Sequence, residues 1–91
     1  MPVKVKIPAQ LRALTAGSDE VEVGGATVGA ALIELRGRYD GLGERLFDDE
    51  GKLRRFVNVY VGDEDIRFTN GLETEVADGQ KVTILPAVAG G

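Results

Sequence analysis

Phe56-Val57-Asn58-Val59-Tyr60-Val61 alternates its side chains strictly, with Val57, Val59 and Val61 on one face and Phe56, Asn58 and Tyr60 on the other. Period two in a run of β-branched and aromatic residues predicts a strand. Apolar groups on both faces predict a central strand, or a second face used for contacts. Downstream, Gly62-Asp63 reads as a turn, Ile66-Arg67-Phe68 as a short strand and Asn70-Gly71 as another turn. Leu72 and Val76 pin an irregular stretch. After Asp78-Gly79, Lys81 to Leu85 forms the last strand, with Val82 and Ile84 on one face, and Pro86 ends it.

Upstream lies the polar loop Asp48-Asp49-Glu50-Gly51, and before it a helical period. Val28, Ala31, Leu32, Leu35 and Tyr39 share one helical face, and Thr27 is placed to cap it. Gly29 and Gly37 weaken that helix, although Gly29 also permits close packing. Gly41 and Gly43 are expected to end it, with Leu42, Leu46 and Phe47 anchoring a short extra turn. At the start, Val3, Val5 and Ile7 alternate with Lys4 and Lys6, and Pro8 breaks the run. Gly17-Ser18 is a turn signal, and Asp19 to Val23 alternates again before Gly24-Gly25. The two runs predict an N-terminal hairpin.

The resulting order is two strands, one main helix, a strand, a short strand and a final strand. Strands at both ends with a helix between them predict an α+β layer. The terminal strands lie parallel and adjacent at the centre of a mixed sheet of four to five strands, which is the β-grasp (ubiquitin-like) arrangement. Val5, Ile7, Val21, Val28, Leu32, Leu35, Val57, Val59, Val82 and Ile84 should supply most of the core. Residues 1–86 form the domain, and 87–91 a flexible C-terminal tail.

Composition narrows the chemistry. The 91 residues include no Cys, His or Trp, and the formal net charge is -4. Disulfides, thiolate nucleophiles, Cys-based zinc sites and histidine general bases are therefore excluded. The acidic balance argues against nucleic acid as a partner. No apolar run reaches the ~20 residues of a membrane span, and the start is not that of a signal peptide, so the expected location is the cytoplasm. Asp48-Asp49-Glu50 and Asp63-Glu64-Asp65 lack the ligand spacing of a calcium loop and read as solvated loops, or as contacts for a basic partner. Arg54-Arg55 reads as an exposed pair before a strand rather than an anion site, and Tyr39 as a core residue.

The C-terminus offers more. Pro86-Ala87-Val88-Ala89-Gly90-Gly91 closes on two glycines, which chance supplies in roughly 2% of chains with this glycine content. Glycine lacks Cβ, so Gly90 and Gly91 could pass a narrow channel in a partner. The Gly91 carboxylate is then a reactive group on an arm. A carboxylate is a poor electrophile until activated, and this chain has no site of its own to activate it. Leu85, Pro86, Ala87, Val88 and Ala89, together with Phe68, form the expected partner-binding patch beside the arm, rimmed by acidic groups.

A small acidic β-grasp domain ending in Val82-Thr83-Ile84-Leu85-Pro86-Ala87-Val88-Ala89-Gly90-Gly91 resembles the ubiquitin-like sulfur carriers of the MoaD/ThiS family. The resemblance covers essentially the whole chain. The segment from Phe56 to Arg67, with Ile7-Pro8 and Glu44-Arg45-Leu46, resembles the carrier of the cysteine-biosynthesis branch. The resemblance implies that an E1-like activating enzyme of the MoeB/ThiF type adenylates Gly91, and that sulfur transfer then makes a C-terminal thiocarboxylate. It implies no catalytic role and no metal or other cofactor on this chain. Mg-ATP, pyridoxal phosphate and zinc belong to the partners: the activating enzyme, a pyridoxal-phosphate cysteine synthase and a zinc peptidase that releases cysteine. The family also implies alternatives, the small subunit of molybdopterin synthase working with its large subunit, or a ubiquitin-like protein modifier.

Overall fold

The computed structural model describes residues 3–55, 57–77 and 79–86. Its strands are β1 (Val3–Lys6), β2 (Glu20–Val23), β3 (Val57–Val61), β4 (Glu64–Asp65) and β5 (Lys81–Pro86), and its helices α1 (Val28–Arg38) and α2 (Asp40–Leu46). The sheet order is β2-β1-β5-β3-β4. β1 and β5 run parallel with Val5 opposite Val82, while β2 pairs antiparallel to β1 and β3 antiparallel to β5. A parallel pair needs a long crossover, and the whole intervening chain, both helices included, provides it. The expected β-grasp arrangement is thus observed, with five strands.

All ten expected core residues are buried, and Val5, Ile7, Val28, Leu32, Leu35, Val82 and Ile84 have no exposed surface. The strand alternation explains this directly: β1 and β3 bury every second residue. α1 starts where Thr27 Oγ1 accepts a hydrogen bond from the Ala30 N–H at 3.2 Å, the expected cap.

Three local readings need correction. First, Gly41 and Gly43 do not end the helical region but lie inside α2. α1 stops at Arg38 because Tyr39 leaves helical geometry (φ -134°, ψ 89°). Tyr39 is half-buried against the core, at the corner between the helices. A Cβ on Gly43 would run into the Arg36 side chain, so this glycine lets α2 fold back onto α1. Arg36 then lies over the Phe47 ring, 5.2 Å from its centroid. Second, the β1–β2 connection is more than a hairpin turn. Ala9–Thr15 forms a 3₁₀ helix that buries Leu11 and Thr15, and Thr15 Oγ1 donates to the Ser18 carbonyl at 2.8 Å. Third, Ile66–Phe68 is a 3₁₀ turn, and the short strand is Glu64–Asp65. Asp65 Oδ1 accepts from the Arg67 N–H at 2.9 Å, which starts the turn and points Ile66 into the core.

Two helix glycines make a controlled pair. A Cβ on Gly29 would meet the Leu72 carbonyl oxygen at 3.0 Å, whereas one on Gly37 would meet nothing within 4 Å. Alanine favours helix over glycine by ~0.5–1 kcal/mol. Gly37→Ala should therefore stabilise the domain by up to that amount. Gly29→Ala should lose the gain or reverse it, because backbone must move. Urea unfolding of the two variants measures the difference.

Candidate functional site: the sheet end that carries the C-terminal arm

β5 lies third in the sheet, between β1 and β3. β1 pairs with it through Thr83, but β3 follows it as far as Pro86, which lies opposite Val57. From Ile84 onward the strand is therefore held by β3 alone. Ile84 is fully buried and anchors the segment, while Leu85, opposite Asn58, is 45% exposed. This arrangement presents the base of the arm at one end of the sheet, fastened by one core side chain and one ladder of backbone hydrogen bonds. Ala87, Val88, Ala89, Gly90 and Gly91, with the expectation of a flexible tail, lie outside the described residues.

Phe68 is 87% exposed, the most exposed large apolar side chain among the described residues. Its turn is tied to the same end of the sheet. Arg67 Nη2 donates to the Arg55 carbonyl at 2.9 Å and to the Val57 carbonyl at 3.3 Å, and Val57 is the partner of Pro86. Leu85 and Phe68 are thus both exposed at this end of the fold. Basic side chains stand at this end among the described residues, with the acidic groups Glu44, Asp48 and Asp49 on the neighbouring side of Arg54. Arg54, Arg55 and Arg67 occupy this end, while Glu64 pairs with Val61 at the far end of β3. The sequence did not show this, because Arg67 reaches Arg55 only through the β3–β4 turn-back.

The densest acidic run has a structural occupation. Asp48 Oδ1 accepts the Glu50 N–H at 2.9 Å and the Lys52 N–H at 3.0 Å, closing the loop on itself. The Lys52 amide is the main cause holding the Asp48 carboxyl below its ordinary pKa, against a smaller desolvation effect in the other direction. The Glu50 amide and the charges of Arg54 and Lys52 lower it further. A depressed folded-state pKa contributes stability above the unfolded value near 4, lost as pH falls through the folded value. A carboxyl-detected NMR titration should place the Asp48 midpoint below the ordinary aspartate value, and Asp48→Asn should flatten the acid limb of stability. Among the described residues, no helix is long and apolar enough to cross a membrane.

The ThiS family profile matches residues 5–91. The sulfur carrier protein CysO of Mycobacterium tuberculosis is 55% identical, with 100% of each chain covered. Small archaeal modifier protein 3 of Haloferax volcanii is 41% identical over 72% of this chain and 71% of its own. The fold superimposes with a TM-score of 0.88 and 54% identity on a chain of the Amycolatopsis orientalis BexX/CysO complex, covering 98% of this chain and 99% of that one. The family match and the full-length likeness to a sulfur carrier show a protein that is acted upon rather than one that catalyses. The chain belongs to the ThiS family and is a ubiquitin-like sulfur carrier.

Proposed function

We propose that Gly91 bears the sulfur as a C-terminal thiocarboxylate, and that the sulfur serves cysteine biosynthesis. The observation that carries this reading is the 55% identity to CysO across the full length of both chains. A Gly91 carboxylate oxygen attacks the α-phosphorus of ATP on an E1-like activating enzyme, and pyrophosphate leaves. A sulfur nucleophile then adds to the acyl carbon and AMP leaves. The metal and cations that stabilise these charges come from the activating enzyme. This chain supplies a fixed base for the arm at β5, and Gly90 offers the smallest possible cross-section for passage. On a cysteine synthase that uses pyridoxal phosphate, the thiocarboxylate sulfur bonds to the β-carbon of an activated serine, whose leaving group departs, and keeps its bond to the Gly91 acyl carbon. The amine of the new cysteine then takes the acyl group from sulfur, and a zinc peptidase hydrolyses the resulting peptide bond.

The test is intact mass after incubation with the activating enzyme, Mg-ATP and a sulfur source. One oxygen replaced by sulfur, confined to the C-terminal fragment, is expected. Addition of the synthase and peptidase should then yield free cysteine. The likeness to small archaeal modifier protein 3 favours a second reading, in which Gly91 is joined to lysines of other proteins. Higher-mass conjugates that survive reductant would select it. No mass change and no conjugates would sink both readings.

A further inference from the structure

The sheet end that carries the arm also holds a groove of about 310 Å³. Its floor is apolar, formed by Leu53, Val57, Val59, Ile66 and Leu72, and its polar lining carries one sign of charge. Lys52, Arg54, Arg55 and Arg67 line it, and no Asp or Glu does. This is a local exception in a chain with net charge -4.

The three arginines form no ion pair among the described residues. Two are held in place by backbone carbonyls instead. Arg54 Nε donates to the Glu44 carbonyl at 2.9 Å, and Arg67 donates to the carbonyls of Arg55 and Val57. Carbonyls orient a guanidinium without neutralising it, so both cations have lost much of their rotamer freedom. Arg54 feels the Asp48 carboxylate on its other side, while Arg67 makes no ion pair among the described residues. Arg55 is exposed beside them and its side chain makes no hydrogen bond among the described residues. Preorganised guanidiniums around an apolar floor suit carboxylates flanking an apolar side chain.

We propose that this groove docks an acidic segment of the partner protein that handles the C-terminal arm, with one apolar side chain on the floor and flanking carboxylates on Arg54, Arg55 and Arg67. The inference rests on the carrier reading for the identity of that partner. The residues beyond Pro86 span at most about 17 Å when extended, and Pro86 is paired with Val57, a groove residue. An enzyme that engages Gly91 must therefore cover this end of the domain. Charge complementarity there would steer the approach and set the register of the arm.

The test uses the full chain, isotopically labelled, titrated with the capped peptide Glu-Glu-Leu-Glu-Glu and with Lys-Lys-Leu-Lys-Lys as control. Amide shifts centred on residues 51–55, 57–59, 66–67 and 72 are expected with the acidic peptide alone, fading as salt rises. Arg55→Glu should abolish them while leaving the fold's spectrum unchanged, and Lys4→Glu on the open sheet face should not. Arg55→Glu should also slow sulfur loading by the cognate activating enzyme. Shifts that are absent, that centre on the open sheet face, or that persist in Arg55→Glu would overturn the proposal. So would the same groove shifts appearing on removal of residues 87–91 without peptide, since the occupant would then be the chain's own arm. Wild-type loading is read separately. If loading proceeds but the groove shifts fail, the docking proposal falls and the carrier reading stands.

Discussion

A chain with one residue added after Gly91, or with Gly91 removed, should fold normally and accept no sulfur. Either change moves the terminal carboxylate by up to ~3.5 Å. When reacting groups must align, a misplacement of about 1 Å can already cost ~100-fold. The loss should therefore exceed two orders of magnitude, which intact mass reads as an absent sulfur product. The fold should not respond, because among the described residues the last core anchor is Ile84 and the last ladder pair is Pro86 with Val57. Circular dichroism and a thermal melt check this. Gly90→Ala separates two channel shapes, a mild loss if the partner admits a methyl group and a severe one if it does not. A sulfur gain that persists in the extended chain would show that Gly91 is not the site.

The second large effect concerns the core. Leu32 and Leu35 are fully buried on α1, against the sheet. Truncating either to Ala removes transfer free energy and leaves a cavity, at a cost of ~2–5 kcal/mol. A domain of this size has about 5–10 kcal/mol in all. In a 60–100-residue domain each kcal/mol corresponds to roughly 4–8 °C, so a fall in Tm of at least about 8 °C is expected. The same variants should load sulfur normally at low temperature while folded. A Tm within 3 °C of the wild type would contradict the packing described above.

These two predictions rest on different levels of information. The core was legible because alternation in Val3–Ile7, Val57–Val61 and Lys81–Leu85, and the helical spacing of Val28, Leu32 and Leu35, are local consequences of backbone geometry. Burying one face of each element leaves few arrangements, and parallel terminal strands follow from strands at both ends with a helix between. The terminal Gly-Gly was legible for another reason: its chemistry resides in the backbone, and a run without bulky side chains is visible in any sequence.

What the sequence could not reveal depends on contacts between distant segments. Gly41 and Gly43 read as breakers, since propensity counts only the helix they weaken. The structure keeps Gly43 inside α2 because a side chain there would strike Arg36. Ile66–Phe68 read as a strand from its composition, but Asp65 caps a turn whose outcome is decided by where Ile66 can be buried. The gathering of arginines at the arm-bearing end was likewise not legible. Arg55 and Arg67 stand 12 residues apart, and only the β3–β4 turn-back brings the guanidinium of one to the carbonyl of the other. The sequence by itself thus determined β1, β2, β3 and β5, the main helix and the core, because each is set by period or residue type along a short stretch. The extra turn expected at Leu42, Leu46 and Phe47 is there as α2, but only the tertiary structure decided that Gly41 and Gly43 lie inside it, packed on α1, and only the pairing of β3 with β4 and β5 assembled the cationic groove.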